Sequence, residues 1–357
     1  MGKSLKKLLS VFLAASCGVA GGVVPVAHAE GTAAAVKEFY HATWDDAEEN
    51  RVLTGTSGLE ATQFWKGNLQ FQNWYDENKT TFVKDPDSTR EGISIKTTVT
   101  STMSFSAKLD VISSALKTAL KDSDKKIYFS TDIYIPTGFD GECKLTWYSA
   151  PNNHAKRIGE FNLDETSGIT AAGNTVLSAD EMLNKWVTLG FVADKTDNTV
   201  SYYLNAEPVP GAQNVTGWDG SFDSLSPFMY LNTFKNNKES YDVYFDNMIA
   251  CEVPDVAVDA DLGGSAALPE TIAVISEGES VAVEMTAAWG TADTSAEGIK
   301  TVYGKLGGYL PLVADVNVED STPEEYKYHA TRIIDANFDS YTEGEDANKK
   351  PDGNVSI

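Results

Sequence analysis

The chain has little histidine, few cysteines, a deficit of basic residues, and none of the short motifs that announce a hydrolase. Of its three cysteines, Cys17 sits in the N-terminal segment, which leaves Cys143 and Cys251. A disulfide between these two and a pair of buried free thiols are both open, because two thiols about 110 residues apart in sequence need not meet in space. Lys and Arg number 28 against 52 Asp and Glu, for a formal net charge of −24. A surface this acidic repels phosphate backbones and anionic lipid, which excludes nucleic acid as a partner. Gly-x-Ser-x-Gly and His-Glu-x-x-His are both missing, and only His41, His154 and His329 follow the first thirty residues. Glu-x-Asp-x-Glu, which would set acids on one strand face at every second residue, is missing too. The nearest approach is Glu160 with Asp164 and Glu165, at the wrong spacing. Asp242 and Asp246 share a strand face but stand about 13 Å apart by strand rise. On these absences no catalytic residue is expected within the chain.

The chain begins with an export signal. Lys3, Lys6 and Lys7 precede an apolar run, Leu8–Ala15, and the segment closes on Ala27-His28-Ala29 before Glu30. Small residues in that arrangement fit signal peptidase, which makes 1–29 a signal peptide and the protein secreted or cell-surface. An uncleaved anchor is the alternative, but Gly18, Gly21, Gly22 and Pro25 break the run well short of the roughly 20 residues a span needs. Ala-Ala-Ser-Cys17 is a poor version of a lipoprotein acylation site. No transmembrane segment is expected in the mature chain. Loss of the three leader lysines takes its charge to −27, which leaves carboxylates free to hold calcium.

Past the leader the chain reads as many short strands with turns between them. Lys126–Pro136 alternates, with Phe129, Thr131, Ile133 and Ile135 on one side and Tyr128, Ser130, Asp132 and Tyr134 on the other. That period of two marks a strand with one buried and one wet face. Similar segments fall at 93–101, 144–149, 158–163, 186–193, 199–205, 228–234 and 242–251. Residues 186–205 form a hairpin about a DKTDN loop. Residues 107–121 carry apolar residues at helical spacing. The acidic stretch 255–262 marks a boundary near Pro254, after which strands are expected at 271–275, 280–287 and 300–305, with Trp289 as a core candidate. Residues 319–357 form a linker and the start of a repeat, since Ala336-Asn-Phe-Asp-Ser-Tyr341 echoes Ala42-Thr-Trp-Asp-Asp-Ala47. The expected fold class is all-β: a jelly-roll β-sandwich over 36–252, followed by a small sandwich over 256–318.

The ordered segments KIYFSTDIYIP, RIGEFNLDETSGITAAGN, NKWVTLGFVADKTDNTVSYYLNAE and YDVYFDNMIA together resemble the concanavalin A-like lectin/glucanase superfamily in its laminin-G-like bacterial form. Residues 256–310 resemble a bacterial Ig-like domain of group 4, through Leu268-Pro269-Glu270, Trp289, Ser295–Gly298 and Tyr303-Gly304. These resemblances imply a multimodular surface or secreted protein of Gram-positive type that engages a glycan or polysaccharide. They do not imply one activity.

Sugar binding needs an aromatic face and polar groups together. Tyr128, Asp132, Tyr134 and, on the next strand, Tyr148 are the candidate ligand-binding residues, although tyrosines on a strand face also serve merely as cross-strand pairs. Trp186 is assigned to the core because both faces of its strand are apolar; Trp65, Trp74 and Tyr75 are core or rim. Calcium is the candidate cofactor, in a structural role, held by Asp45 or Asp46 with Asp246 if the first and last strands are neighbours; turn capping is the alternative for these acids. The expectation is therefore a non-catalytic, glycan-binding or adhesive region. Alternatives are the accessory part of a glycoside hydrolase and a structural stalk.

Overall fold

The computed structural model describes residues 35–45, 47, 49–50, 52–53, 62–65, 69–73, 79–99, 107–111, 114–148, 157–216, 228–234 and 241–321. The leader, Asp46, Trp74, Tyr75, His154, His329 and the 336–341 repeat lie outside them. The first strands are β1 (Val36–Ala42), β2 (Val52–Leu53), β3 (Thr62–Trp65), β4 (Leu69–Asn73), β5 (Lys79–Lys84), β6 (Ile93–Val99) and β7 (Ala107–Val111). One helix, α1 (Ser114–Asp122), precedes β8 (Ile127–Tyr134), β9 (Glu142–Tyr148), β10 (Arg157–Asp164), β11 (Gly168–Ala171) and β12 (Asn174–Leu177). Then come β13 (Trp186–Asp194), β14 (Thr199–Leu204), β15 (Glu207–Pro208), β16 (Val215–Thr216), β17 (Phe228–Phe234) and β18 (Tyr241–Glu252). The chain continues through β19 (Asp255–Asp261), β20 (Thr271–Ile275), β21 (Val283–Trp289), β22 (Gly298–Leu306) and β23 (Leu310–Glu319).

Two sheets face each other in a jelly-roll sandwich. One runs β12-β11-β10-β9-β17-β7-β4-β3. The other runs β15-β14-β13-β8-β18-β1 and continues through β20-β21-β22-β23-β19, with β6, β5 and β2 stepping off β18 and β16 off β14. Aromatic side chains knit the sheets together. Phe129 of β8 and Phe191 of β13 are opposite in register and stack at 5.4 Å. Trp147 of β9 meets the Phe191 ring edge-on at 5.2 Å, and Phe161 of β10 meets Tyr202 of β14 likewise at 5.2 Å. Gly159 makes this closeness possible, since a Cβ there would fall 2.8 Å from the Phe191 ring. Cys143 and Cys251 are both buried free thiols.

Two stretches differ from expectation. Residues 107–121 divide into strand β7, paired with β4 and β17, and helix α1, which buries Leu116 and Leu120 one turn apart. Ala107, Leu109 and Val111 also fit a period of two, and the pairing on both edges outweighs the helical spacing. The acidic stretch after Pro254 is strand β19, parallel to β23; its acids alternate with the buried Val256 and Ala260.

Strands β19 to β23 gather into a smaller group with its own buried residues, among them Ile272, Val302, Leu306, Leu312 and Val316. That cluster extends onto the outer face of the sandwich, taking in Tyr128, Val192, Tyr203, Ile249 and Cys251. The outer face of β8 is therefore wet along half its length only. Its first half lies under the smaller group, and its second half carries the site described next.

Candidate functional site

Three neighbouring strands put an aromatic residue at the same level of the uncovered face. Trp186 of β13 is paired with Tyr134 of β8, and Tyr134 with Tyr244 of β18. The ring centroids are 5.6 Å apart for Trp186–Tyr134 and 5.8 Å for Tyr134–Tyr244. All three are half-buried. At the strand spacing of about 4.8 Å the row extends about 10 Å across the sheet. Two residues further along each strand lies a polar row, Thr188, Asp132 and Asp246, again in register.

Arg90 closes over both rows. It comes from the loop between β5 and β6, Asp85-Pro86-Asp87-Ser88-Thr89-Arg90, a turn-forming composition. Asp85 Oδ1 accepts from Asp87 N at 2.8 Å, Asp87 Oδ1 from Thr89 N at 2.9 Å, and Asp87 O from Arg90 N at 3.0 Å. So stapled, the loop lays the guanidinium over the Trp186 ring at 4.5 Å. Its nitrogens reach Asp85 at 3.4 Å, Asp132 at 3.3 Å and Asp246 at 3.0 Å. Trp186 Nε1 in turn donates to Asp85 at 2.8 Å.

The remaining acceptors of the polar row are also used. Asp132 accepts from Thr188 Oγ1 at 2.5 Å and from Asn247 Nδ2 at 2.8 Å. Asn247 has φ 46° and sits in a bulge of β18. Asn tolerates that left-handed conformation, and the extra residue lets Asp246 and Asn247 both serve the outer face. One guanidinium cannot balance three carboxylates. Burial pushes the Asp246 carboxyl up to about 8; the Asn247 N–H and Arg90 oppose this, and the Asp132 and Asp45 charges add to it. Held this high chiefly by burial, the Asp246 carboxyl keeps its proton near neutral pH, which lessens the negative charge of the cluster.

The residues expected from sequence separate. Asp132 and Tyr134 belong to this site. Tyr128 is wholly buried beneath the smaller group, in edge contact with Tyr203. Tyr148 lies on the opposite sheet and is 6% exposed. The structure therefore does not join the four into one surface. Trp186 is not a core residue: its strand is apolar on both faces because the smaller group covers Val192 at the far end, while Trp186 stands at the open end. Strands β1 and β18 are neighbours, as the calcium expectation required. Asp45 approaches Asp246 closely enough to raise it, and its Oδ1 accepts from Ile93 N at 3.1 Å. The cation lying on Asp246 is Arg90. Among the described residues no group of three His, Cys, Asp or Glu side chains could hold a metal ion. Arg90, Trp186 and Tyr244 were missed in the sequence; the only local signal was the Asp-Pro-Asp-Ser-Thr turn before Arg90.

No family model matches the chain, and no curated protein matches it in sequence. Solved structures similar to it include the catalytic domain of a glycoside hydrolase family 131 protein from Coprinopsis cinerea, at 13% identity and TM-score 0.39, covering 60% of this chain and 94% of that one. A GH131 β-glucanase catalytic domain from Podospora anserina matches at 12% identity and TM-score 0.34, covering 57% and 85%. A Trypanosoma rangeli sialidase matches at 11% identity and TM-score 0.32, with 53% of this chain covering 29% of that one. These likenesses describe the sandwich and carry no argument for a particular reaction. The expectation of a non-catalytic binding or adhesive region is corrected to this extent: the solved structures similar to the chain include catalytic domains of glycoside hydrolases.

Proposed function

We propose that this chain is a carbohydrate-active β-sandwich that lays a neutral glycan across Trp186, Tyr134 and Tyr244 and cleaves it with Asp246 as proton donor. One observation supports this above the others: a buried carboxyl that keeps its proton near neutral pH adjoins a half-exposed row of three aromatic rings. The ring surfaces that Arg90 leaves uncovered, tilted 55° between Trp186 and Tyr134 and edge-on between Tyr134 and Tyr244, offer contacts to sugar C–H groups, and the row is long enough for about two sugar units. Asp246 protonates the departing glycosidic oxygen, the Asp132 carboxylate steadies the positive charge that develops on the sugar ring, and water adds at the anomeric carbon. The proton released by that water restores Asp246. Two carboxylates and a protonated carboxyl about one guanidinium, in a chain of net charge −24, disfavour uronates and sialic acids, which makes neutral polymers the substrate class. Export, which the leader motif supports, delivers such an enzyme to polysaccharide outside the cell. The strands over 256–318 are taken as the Ig-like unit implied by resemblance.

The test is release of reducing sugar from a panel of neutral β- and α-glucans, xylan and mannan, with alginate and a sialoside as anionic controls. Activity on a neutral polymer that disappears in Asp246→Asn, with the fold intact by circular dichroism, is the expected result. An inactive wild-type chain across the panel, or an active Asp246→Asn, overturns the proposal.

A further inference from the structure

At the other end of β8 from Tyr134, a cleft of about 310 Å³ opens between the sandwich and the smaller group. Its floor is apolar, made by Val192, Val253 and Val256. One wall comes from the sandwich, with Ser201, Tyr203, Gln213 and Asn214, and the other from the smaller group, with Thr301, Tyr303 and Asp315. Two surface ion pairs also cross between the walls. Lys305 of β22 pairs with Glu207 of β15 at 2.8 Å, and Lys125 pairs with Asp255 of β19 at 3.7 Å.

The walls carry unused hydrogen-bonding groups. Gln213 Nε2 donates to the Tyr202 and Val209 carbonyls, which leaves its own carbonyl oxygen free. Asn214 Oδ1 accepts from Ser201, which leaves its amide nitrogen free. No hydrogen bond among the described residues engages the Tyr203, Tyr303 or Thr301 hydroxyls. Charge is mostly compensated in place, since Lys126 pairs with Asp194 at 3.1 Å and Asp255 with Lys125; Asp315 is left, which disfavours an anion. An apolar floor under convergent hydroxyl and amide groups, in a volume at the small end of ligand sites, suits a compact neutral polyol.

We infer that this cleft is a second carbohydrate-binding site, taking one or two neutral sugar units, separate from the aromatic row. Because both walls are needed, the smaller group is part of the site. An apolar cluster shared by the sandwich and the smaller group, including Val192, Tyr203, Val256 and Val302, holds the walls together, so little ordering accompanies binding.

The experiment is an NMR or calorimetric titration of the full chain with glucose, galactose, mannose, N-acetylglucosamine and cellobiose, repeated on Tyr303→Ala, Asn214→Ala and Trp186→Ala. Tyr303 is half-buried and Asn214 exposed, so both variants keep the fold. Expected is millimolar binding of at least one probe, weakened about tenfold or more by Tyr303→Ala or Asn214→Ala, with that component persisting in Trp186→Ala, which removes only binding at the aromatic row. Absence of binding by every probe overturns the inference. So does binding that survives both cleft variants, and its loss in Trp186→Ala alone would assign the sugar to the aromatic row. Failure of the hydrolysis assay with this titration positive would sink the proposed activity and leave the cleft standing.

Discussion

A carboxyl that holds its proton up to about pH 8 when folded, against an ordinary value of 3.8, makes stability fall as pH rises between those values. Below the lower value both states are protonated and the contribution of Asp246 is fully present; above the upper one it is lost. Asp246→Asn, a permanent stand-in for the protonated acid, is expected to flatten this slope. The check is the difference in Tm between wild type and variant at pH 4, 6 and 8: it should grow in the variant's favour as pH rises. A difference independent of pH would show that the proton is not retained. Trp186→Ala removes both the ring beneath Arg90 and the donor to Asp85, and should cost about 1–2 kcal/mol in urea unfolding while abolishing glycan binding at the row. At this scale Asp132 and Tyr134 were legible, since strict alternation along β8 assigned their face. Trp186 was not, because its strand is apolar on both sides for a reason that lies in residues some seventy positions later. Arg90 was not, because a loop residue acquires its carboxylates only through long-range pairing.

The elements were legible wherever one period was unopposed. Strands β6, β8, β13, β14, β17 and β18, and the hairpin turn after Asp194, fall where alternation and turn residues put them. The failures have a common cause, two patterns written over one stretch. In 107–111 an alternating set coincides with helical spacing, and in β19 the count of acids conceals that only alternate positions carry them. The close approach of the sheets at Phe191 needs the missing side chain at Gly159. Gly159→Ala should destabilise the sandwich by about 1–3 kcal/mol through overpacking against Phe191, measured as a lower urea midpoint with unchanged m-value. Phe191→Ala, which empties the centre of the same cluster, should cost about 3–5 kcal/mol. A neutral Gly159→Ala would mean that the sheets have room to part.

Across the whole molecule the smaller group acts as a cover. Tyr128, Ile249 and Cys251 have no exposure beyond a few per cent because β19–β23 lies on them. Burial holds the Cys143 and Cys251 thiols well above the ordinary range, so neither should react with a thiol reagent in the native chain. A chain ended after Pro254 should expose Cys251 and make that one thiol reactive, with Cys143 still protected; equal protection of both would remove the cover from the account. The order of strands within the cover has a mechanical outcome. The chain enters it along β19 and leaves along β23, and these are parallel neighbours joined over seven residue pairs from Asp255–Val313 to Asp261–Glu319. Tension applied through the two ends pulls them past each other lengthwise, so every rung of that ladder bears load together instead of opening one after another. A tether attached through residues 255 and 319 would yield abruptly at high force, and the same strands peeled from one end would give way rung by rung.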